Sequence, residues 1–158
     1  MKRRKIIRIG AILALAGLLM GGGIGLYMFN MPHRNVQSAQ TDFSLTSSQI
    51  VSEYLTDKEA ANIKYLAADG DSKILEITGV VSGISEDFNG NQVVLLKGNN
   101  DEAGVSATFT ADSNASVSKI VVGETTTVKG VIRSGAAYDD DLELYENVVL
   151  EQSSIINN

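Results

Sequence analysis

The sequence predicts a mainly β domain, a five-stranded barrel, preceded by a short helical extension and one N-terminal transmembrane helix. Three observations predict it. Residues 9–29 carry no charge. From Lys73 onward, β-branched runs alternate apolar and polar side chains between turn signals. The first and fourth of these runs each hold a glycine at mid-strand, Gly79 and Gly130. Strands bend most easily at glycine, and a small barrel needs sharp bends to close.

Lys2, Arg3, Arg4, Lys5 and Arg8 make residues 1–8 a basic segment. The uncharged run that follows, 9–29, spans roughly 30 Å at about 1.5 Å per residue, the thickness of a bilayer's hydrocarbon core. Six of the 13 Lys and Arg lie at or before Arg34, and all 19 Asp and Glu lie after it. Residues 35–158 thus set seven cations against 19 acids, a net of −12. Basic flanks stay in the cytoplasm, so the expected protein is a single-pass protein of the cytoplasmic membrane with its acidic domain periplasmic or otherwise extracytoplasmic. A cleaved signal peptide would have an apolar core of about 7–15 residues. This one is longer, and Ser38-Ala39-Gln40 is a poor cleavage site, so an uncleaved anchor is expected. Gly17, Gly21 and Gly25 recur at a spacing that allows close helix approach and a homodimer. Glycine is also common in membrane helices, and that simpler reading is preferred. With no cysteine, disulfides, thiol catalysis and a lipid-modified cysteine anchor are excluded.

Residues 30–45 read as a polar tether holding the only proline, Pro32, and the only histidine, His33. Residues 46–66 read as a helical extension. Thr46-Ser47-Ser48-Gln49 has the form of a capping box. Asp57 can cap a second helix, so a break is expected near Thr56-Asp57. The barrel is expected over 73–151. Its strands are Lys73–Ser85, Asn91–Lys97, Val105–Thr110, Glu124–Arg133 and Leu142–Leu150. Asn89-Gly90 marks a type I′ hairpin, both of whose central residues need φ > 0. A helix capped by Asp112 runs to Val121, and Gly123 ends it. Residues 152–158 are expected to form a frayed tail.

The order β-β-β-α-β-β is the layout of an OB barrel. Leu75-Glu76-Ile77-Thr78-Gly79-Val80-Val81 and Val122-Gly123-Glu124-Thr125-Thr126-Thr127-Val128-Lys129-Gly130 carry it, with Ala61-Asn62-Ile63-Lys64-Tyr65-Leu66 and Gly104-Val105-Ser106-Ala107-Thr108-Phe109. From about Phe43 to Val149 these residues resemble the tRNA_anti-like OB-fold family. The basic start, apolar anchor and Pro32-His33-Arg34 tether look like its membrane-anchored bacterial members. The resemblance implies a fold and scarcely a function, which must be argued from a site. Relatives often carry Cys where this chain has Ala107, so a thiol role is absent.

The chemistry narrows by exclusion. Asp87-Phe88-Asn89-Gly90-Asn91 starts like a calcium loop, but Gln92 and Gly98 stand where that loop needs Gly and Glu. Asp139-Asp140-Asp141 with Glu143 reads as a solvated charge run. No metal or other cofactor is expected. The lone histidine leaves no base for a nucleophilic triad, so no catalytic residue and no enzyme activity are expected. A single-strand-binding barrel needs a basic groove and stacking aromatics. Phe88 and Tyr138 stand in the loops such barrels use, with Lys97 and Arg133 as cations able to face a ligand. The −12 charge opposes phosphate binding, so nucleic acid is the alternative. The preferred reading is a non-catalytic envelope binding module for a protein, peptide or glycan.

Overall fold

The computed structural model describes residues 17, 21–26, 35–68 and 71–156. Residues 21–26 are helical. Among the described residues no helix is long and apolar enough to cross a membrane, and most of the expected 9–29 span lies outside them. The chain divides into two compact units, Met1–Arg34 and Asn35–Asn158. The second is described below.

Its elements are β1 (Phe43–Thr46), α1 (Ser47–Thr56), α2 (Lys58–Tyr65), β2 (Ile74–Glu86), β3 (Gln92–Leu96), β4 (Val105–Phe109), α3 (Asn114–Val117), β5 (Thr125–Ser134), β6 (Ala137–Asp139), β7 (Leu144–Glu146) and β8 (Val148–Ile155). The sheet runs β1-β2-β3-β4-β8-β5, and β2 also pairs with β5. That last pairing closes a five-stranded, OB-like barrel of β2, β3, β4, β8 and β5. The 13-residue β2 serves two neighbours: Ile74–Val80 pair with β5 and Val81–Glu86 with β3, across a register shift between Val81 and Gly83. Inward residues alternate along the strands, as in Val105, Ala107 and Phe109, which are buried while Ser106 and Thr108 are not.

Both mid-strand glycines lie at close approaches. A Cβ on Gly79 would lie 2.6 Å from Ser47 Oγ, so α1 rests against the barrel there. A Cβ on Gly130 would lie 2.7 Å from Ser153 Oγ, opposite an irregularity in β8 where Gln152 takes φ 52°. The α1 cap is the capping box read from the sequence: Thr46 Oγ1 accepts from Gln49 N and Gln49 Oε1 from Thr46 N. Asp57 Oδ1 accepts from Ala60 N and starts α2 after the expected break. α1 sends Ile50, Val51 and Tyr54 into the core.

Four local expectations are corrected. The tether is docked from Asn35 on. Val36 is 3% exposed, the buried Lys129 ammonium donates to the Ala39 carbonyl at 2.6 Å and the Gln37 carbonyl at 3.4 Å, and β1 runs parallel to β2. The helix expected at 112–121 is only the single turn of α3. The fifth barrel strand is β8, which runs through Ile155 into the expected tail, while Leu142 and Leu144 belong to a β6–β7 hairpin and are exposed. The turn at 87–91 has positive φ only at Gly90, +80°. Asp87 N donates to Asn91 O and Gly90 N to Asp87 O, so it is a three-residue loop.

Candidate ligand-binding groove

The barrel has two differently furnished ends. At one, the β2–β3 turn sits beside α3: Gln92 N donates to Asn114 Oδ1 and Asn114 Nδ2 to Gly90 O. At the other lie α1, the β3–β4 loop and the β6–β7 hairpin. Ser48 Oγ donates to Asp101 Oδ2 at 2.7 Å, tying α1 to the β3–β4 loop. Because β3 runs from the first end to the second, Phe88 and Tyr138 lie at opposite ends of it and are not brought together.

Phe88 is fully exposed at the tip of the first turn. The turn itself is tightly bonded. The Asp87 carboxylate accepts from Asn89 N, Asn91 N and Asn91 Nδ2. These donors, the Asn91 backbone first, hold its pKa below the usual carboxylate range. No other aromatic ring stacks on Phe88 among the described residues.

Tyr138 is placed differently. It stands opposite Tyr145 across the β6–β7 hairpin, with ring centroids 4.8 Å apart. The pair forms one wall of a groove of about 550 Å³. Leu55 and Lys58 come from the α1–α2 side, Glu102 from the β3–β4 loop, and Ala136 and Ala137 from the segment after β5. Tyr54 also lines it and is 1% exposed. Gly135 makes this packing possible, for a Cβ there would overlap the Tyr54 ring at Cε1. Burial pushes the Tyr54 pKa up to about 12. Its hydroxyl has no hydrogen-bond partner among the described residues. A hydrogen bond with the Glu102 carboxylate raises the Tyr145 pKa.

Neither predicted cation lines this groove. Lys97 Nζ donates to the Glu102 carbonyl at 3.0 Å, at the root of the loop that supplies Glu102. Arg133 lies near the end of β5, 3.9 Å from the Glu151 carboxylate, and is largely exposed. Sequence reasoning missed Tyr54, Leu55, Lys58, Glu102 and Tyr145. Tyr145 alone had a local signal: Tyr138 and Tyr145 flank an acidic turn at hairpin spacing. The outward residues of β3 and β4, where an OB barrel carries ligand, are Val93, Leu95, Ser106 and Thr108; none is aromatic or charged. Among the described residues no group of three or more His, Cys, Asp or Glu is arranged to hold a metal ion. The groove can offer aromatic faces, one ammonium, one carboxylate and aliphatic walls, which suits recognition by packing and hydrogen bonding.

A family model described as tRNA_anti-like matches residues 1–144. No curated protein matches the chain. Among solved structures, the barrel is similar to a lipoprotein of Klebsiella pneumoniae subsp. pneumoniae MGH 78578, whose description suggests nucleic-acid binding. The two share 18% identity over 80% of this chain and 100% of that one, with a TM-score of 0.53. A chain from the structure of yeast Stn1 and Ten1 matches at 15% identity over 78% of this chain and 66% of that one, with a TM-score of 0.35.

Proposed function

The chain belongs to the tRNA_anti-like family, and on that premise we propose that it is a membrane-anchored, extracytoplasmic binding module whose barrel presents a ligand groove and performs no catalysis. One observation carries the reading: Tyr138, Tyr145, Leu55 and Lys58, from separate segments, converge on one groove with both a donor and an acceptor at its rim. Binding sites of this kind are concave, largely apolar and provided with a few placed polar groups. The anchor is supported by the basic residues 1–8 and the uncharged run 9–29. Without cysteine, that run takes the place a lipidated cysteine holds in a lipoprotein.

Nucleic acid is the second reading, suggested by the description of the Klebsiella neighbour and by Phe88. Three features argue against it: the −12 charge of residues 35–158, the absence of aromatic or basic residues on the outward β3–β4 face, and the distance along β3 that separates Phe88 from the tyrosines. Stacking contributes about 1–3 kcal/mol per base, and a lone Phe88 supplies one platform with no phosphate clamp beside it.

The test is a photo-crosslinking amino acid placed at position 138 or at position 88 of the full chain in cells. Crosslinks to protein or glycan from 138, and none from 88, are expected. Nucleic acid captured from 88 would replace the first reading with the second. Alkaline phosphatase fused after Asn158 should be active, and an inactive fusion would reverse the topology.

A further inference from the structure

The β6–β7 hairpin, which supplies Tyr138 and Tyr145 to the groove, is itself strongly acidic. Residues 137–146 hold five acids, Asp139, Asp140, Asp141, Glu143 and Glu146, and no cation. Asp139 is used internally, its carboxylate accepting from the backbone of Asp141 and Leu142. None of the five takes part in an ion pair among the described residues. Large apolar side chains are interleaved with them: Tyr138, Leu142, Leu144 and Tyr145 are all partly or mostly exposed. A solvated charge run alone would not need these, since exposing Leu and Tyr beside water gains nothing. The same groove is lined by the aliphatic side chains of Leu55, Ala136 and Ala137.

We propose that the groove docks an extended polypeptide segment in which lysine or arginine alternates with aliphatic or aromatic residues. The apolar side chains of the segment pack between Leu55 and the Tyr138–Tyr145 pair. Its cations meet Asp140, Asp141 and Glu143 along the hairpin edge. Lys58, the only cation lining the groove among the described residues, faces the carbonyl groups or the carboxyl end of the segment. Charge complementarity selects this occupant over an acidic peptide or an anionic glycan, because the −12 domain both repels anions and steers cations toward the hairpin. A partner that used charge alone would leave Leu55, Tyr138 and Tyr145 idle.

The inference rests on the groove being the binding site, and its test separates the two. The chain contains no tryptophan, so Tyr138→Trp introduces a single reporter beside the groove. The full chain carrying it, held in zwitterionic lipid nanodiscs, is titrated with a hexapeptide alternating lysine and leucine. The same hexapeptide with glutamate for lysine, hexalysine and a neutral chito-oligosaccharide are titrated in parallel. The lysine–leucine peptide is expected to shift the tryptophan emission, with an affinity that falls at least tenfold between 50 and 300 mM salt. It should also fall at least tenfold in the Asp140→Asn/Asp141→Asn/Glu143→Gln variant, in which Asp139 and its turn bonds are kept. If the glutamate peptide or the oligosaccharide binds as tightly, the cationic partner is wrong and the groove stands. If hexalysine binds equally well, the apolar half is wrong. If none of the four shifts the emission, the groove itself is not the site.

Discussion

The two exposed turns of the barrel, 87–91 and 140–143, look alike as sequence. Each is acidic and each has an aromatic residue at hand, Phe88 or Tyr138. In the folded chain they have opposite characters. The first spends its polar groups on itself and on Asn114, and leaves Phe88 bare. The second spends only Asp139 on its own turn and leaves its other carboxylates without an ion pair among the described residues, while its aromatic side chains are backed by residues from three other segments. An exposed aromatic residue becomes a binding determinant only where other parts of the chain converge on it.

The contrast breaks most severely at Gly135. A Cβ there has no room beside the Tyr54 ring, so Gly135→Val should cost about 3 kcal/mol through overpacking and should displace Ala136–Tyr138 as well. Urea unfolding of the full chain measures it, and an unchanged midpoint would mean that the hairpin is not seated on Tyr54. The next effect is on binding. Tyr138→Ala should abolish crosslinking from a probe placed at position 142, whereas Phe88→Ala should leave both crosslinking and unfolding midpoint unchanged. Equal losses in the two variants would erase the distinction between the turns.

A smaller effect sharpens the account of the first turn. The Asp87 pKa is depressed in the fold, so its carboxylate contributes stability that is present above its unfolded pKa, about 4, and is lost as pH falls through the folded value. Asp87→Asn should therefore be less stable than the wild type at pH 7, and the gap should close on acidification toward pH 2. A gap independent of pH would show that the turn does not depend on the ionised carboxylate. The smallest effect is spectroscopic. Of the five tyrosines, Tyr54 should ionise near pH 12, and Tyr65 and Tyr145 should also titrate late. Since these pKa values are raised in the fold, the associated stability is present below about pH 10 and lost above it. Absorbance at 295 nm should show Tyr54 last, and its disappearance from the last step in Tyr54→Phe confirms the assignment.

What the sequence by itself determined is local and periodic. Alternation at Val105–Phe109, the capping box at Thr46–Gln49, the break before α2 and the mid-strand glycines were all legible, because each is written in residues a few positions apart. They suffice for β2, β3, β4 and β5, whose ranges fall within a few residues of the expected strands, but not for β8. The tertiary structure decided the rest. Leu142 and Leu144 keep the same alternation as Val148 and Leu150, yet Leu142 and Leu144 stand in a projecting hairpin while Val148 and Leu150 enter the core. Periodicity reports that a residue is on one side of a strand, never whether a second layer exists to cover that side. Residues 35–42 read as polar linker until the Lys129 ammonium and the free edge of β2 are present to bind them. The groove follows the same rule. Leu55, Glu102, Ala136 and Tyr138 come together only because α1 rests on Gly79 and Tyr54 on Gly135, contacts between residues 32 and 81 positions apart that no local pattern encodes.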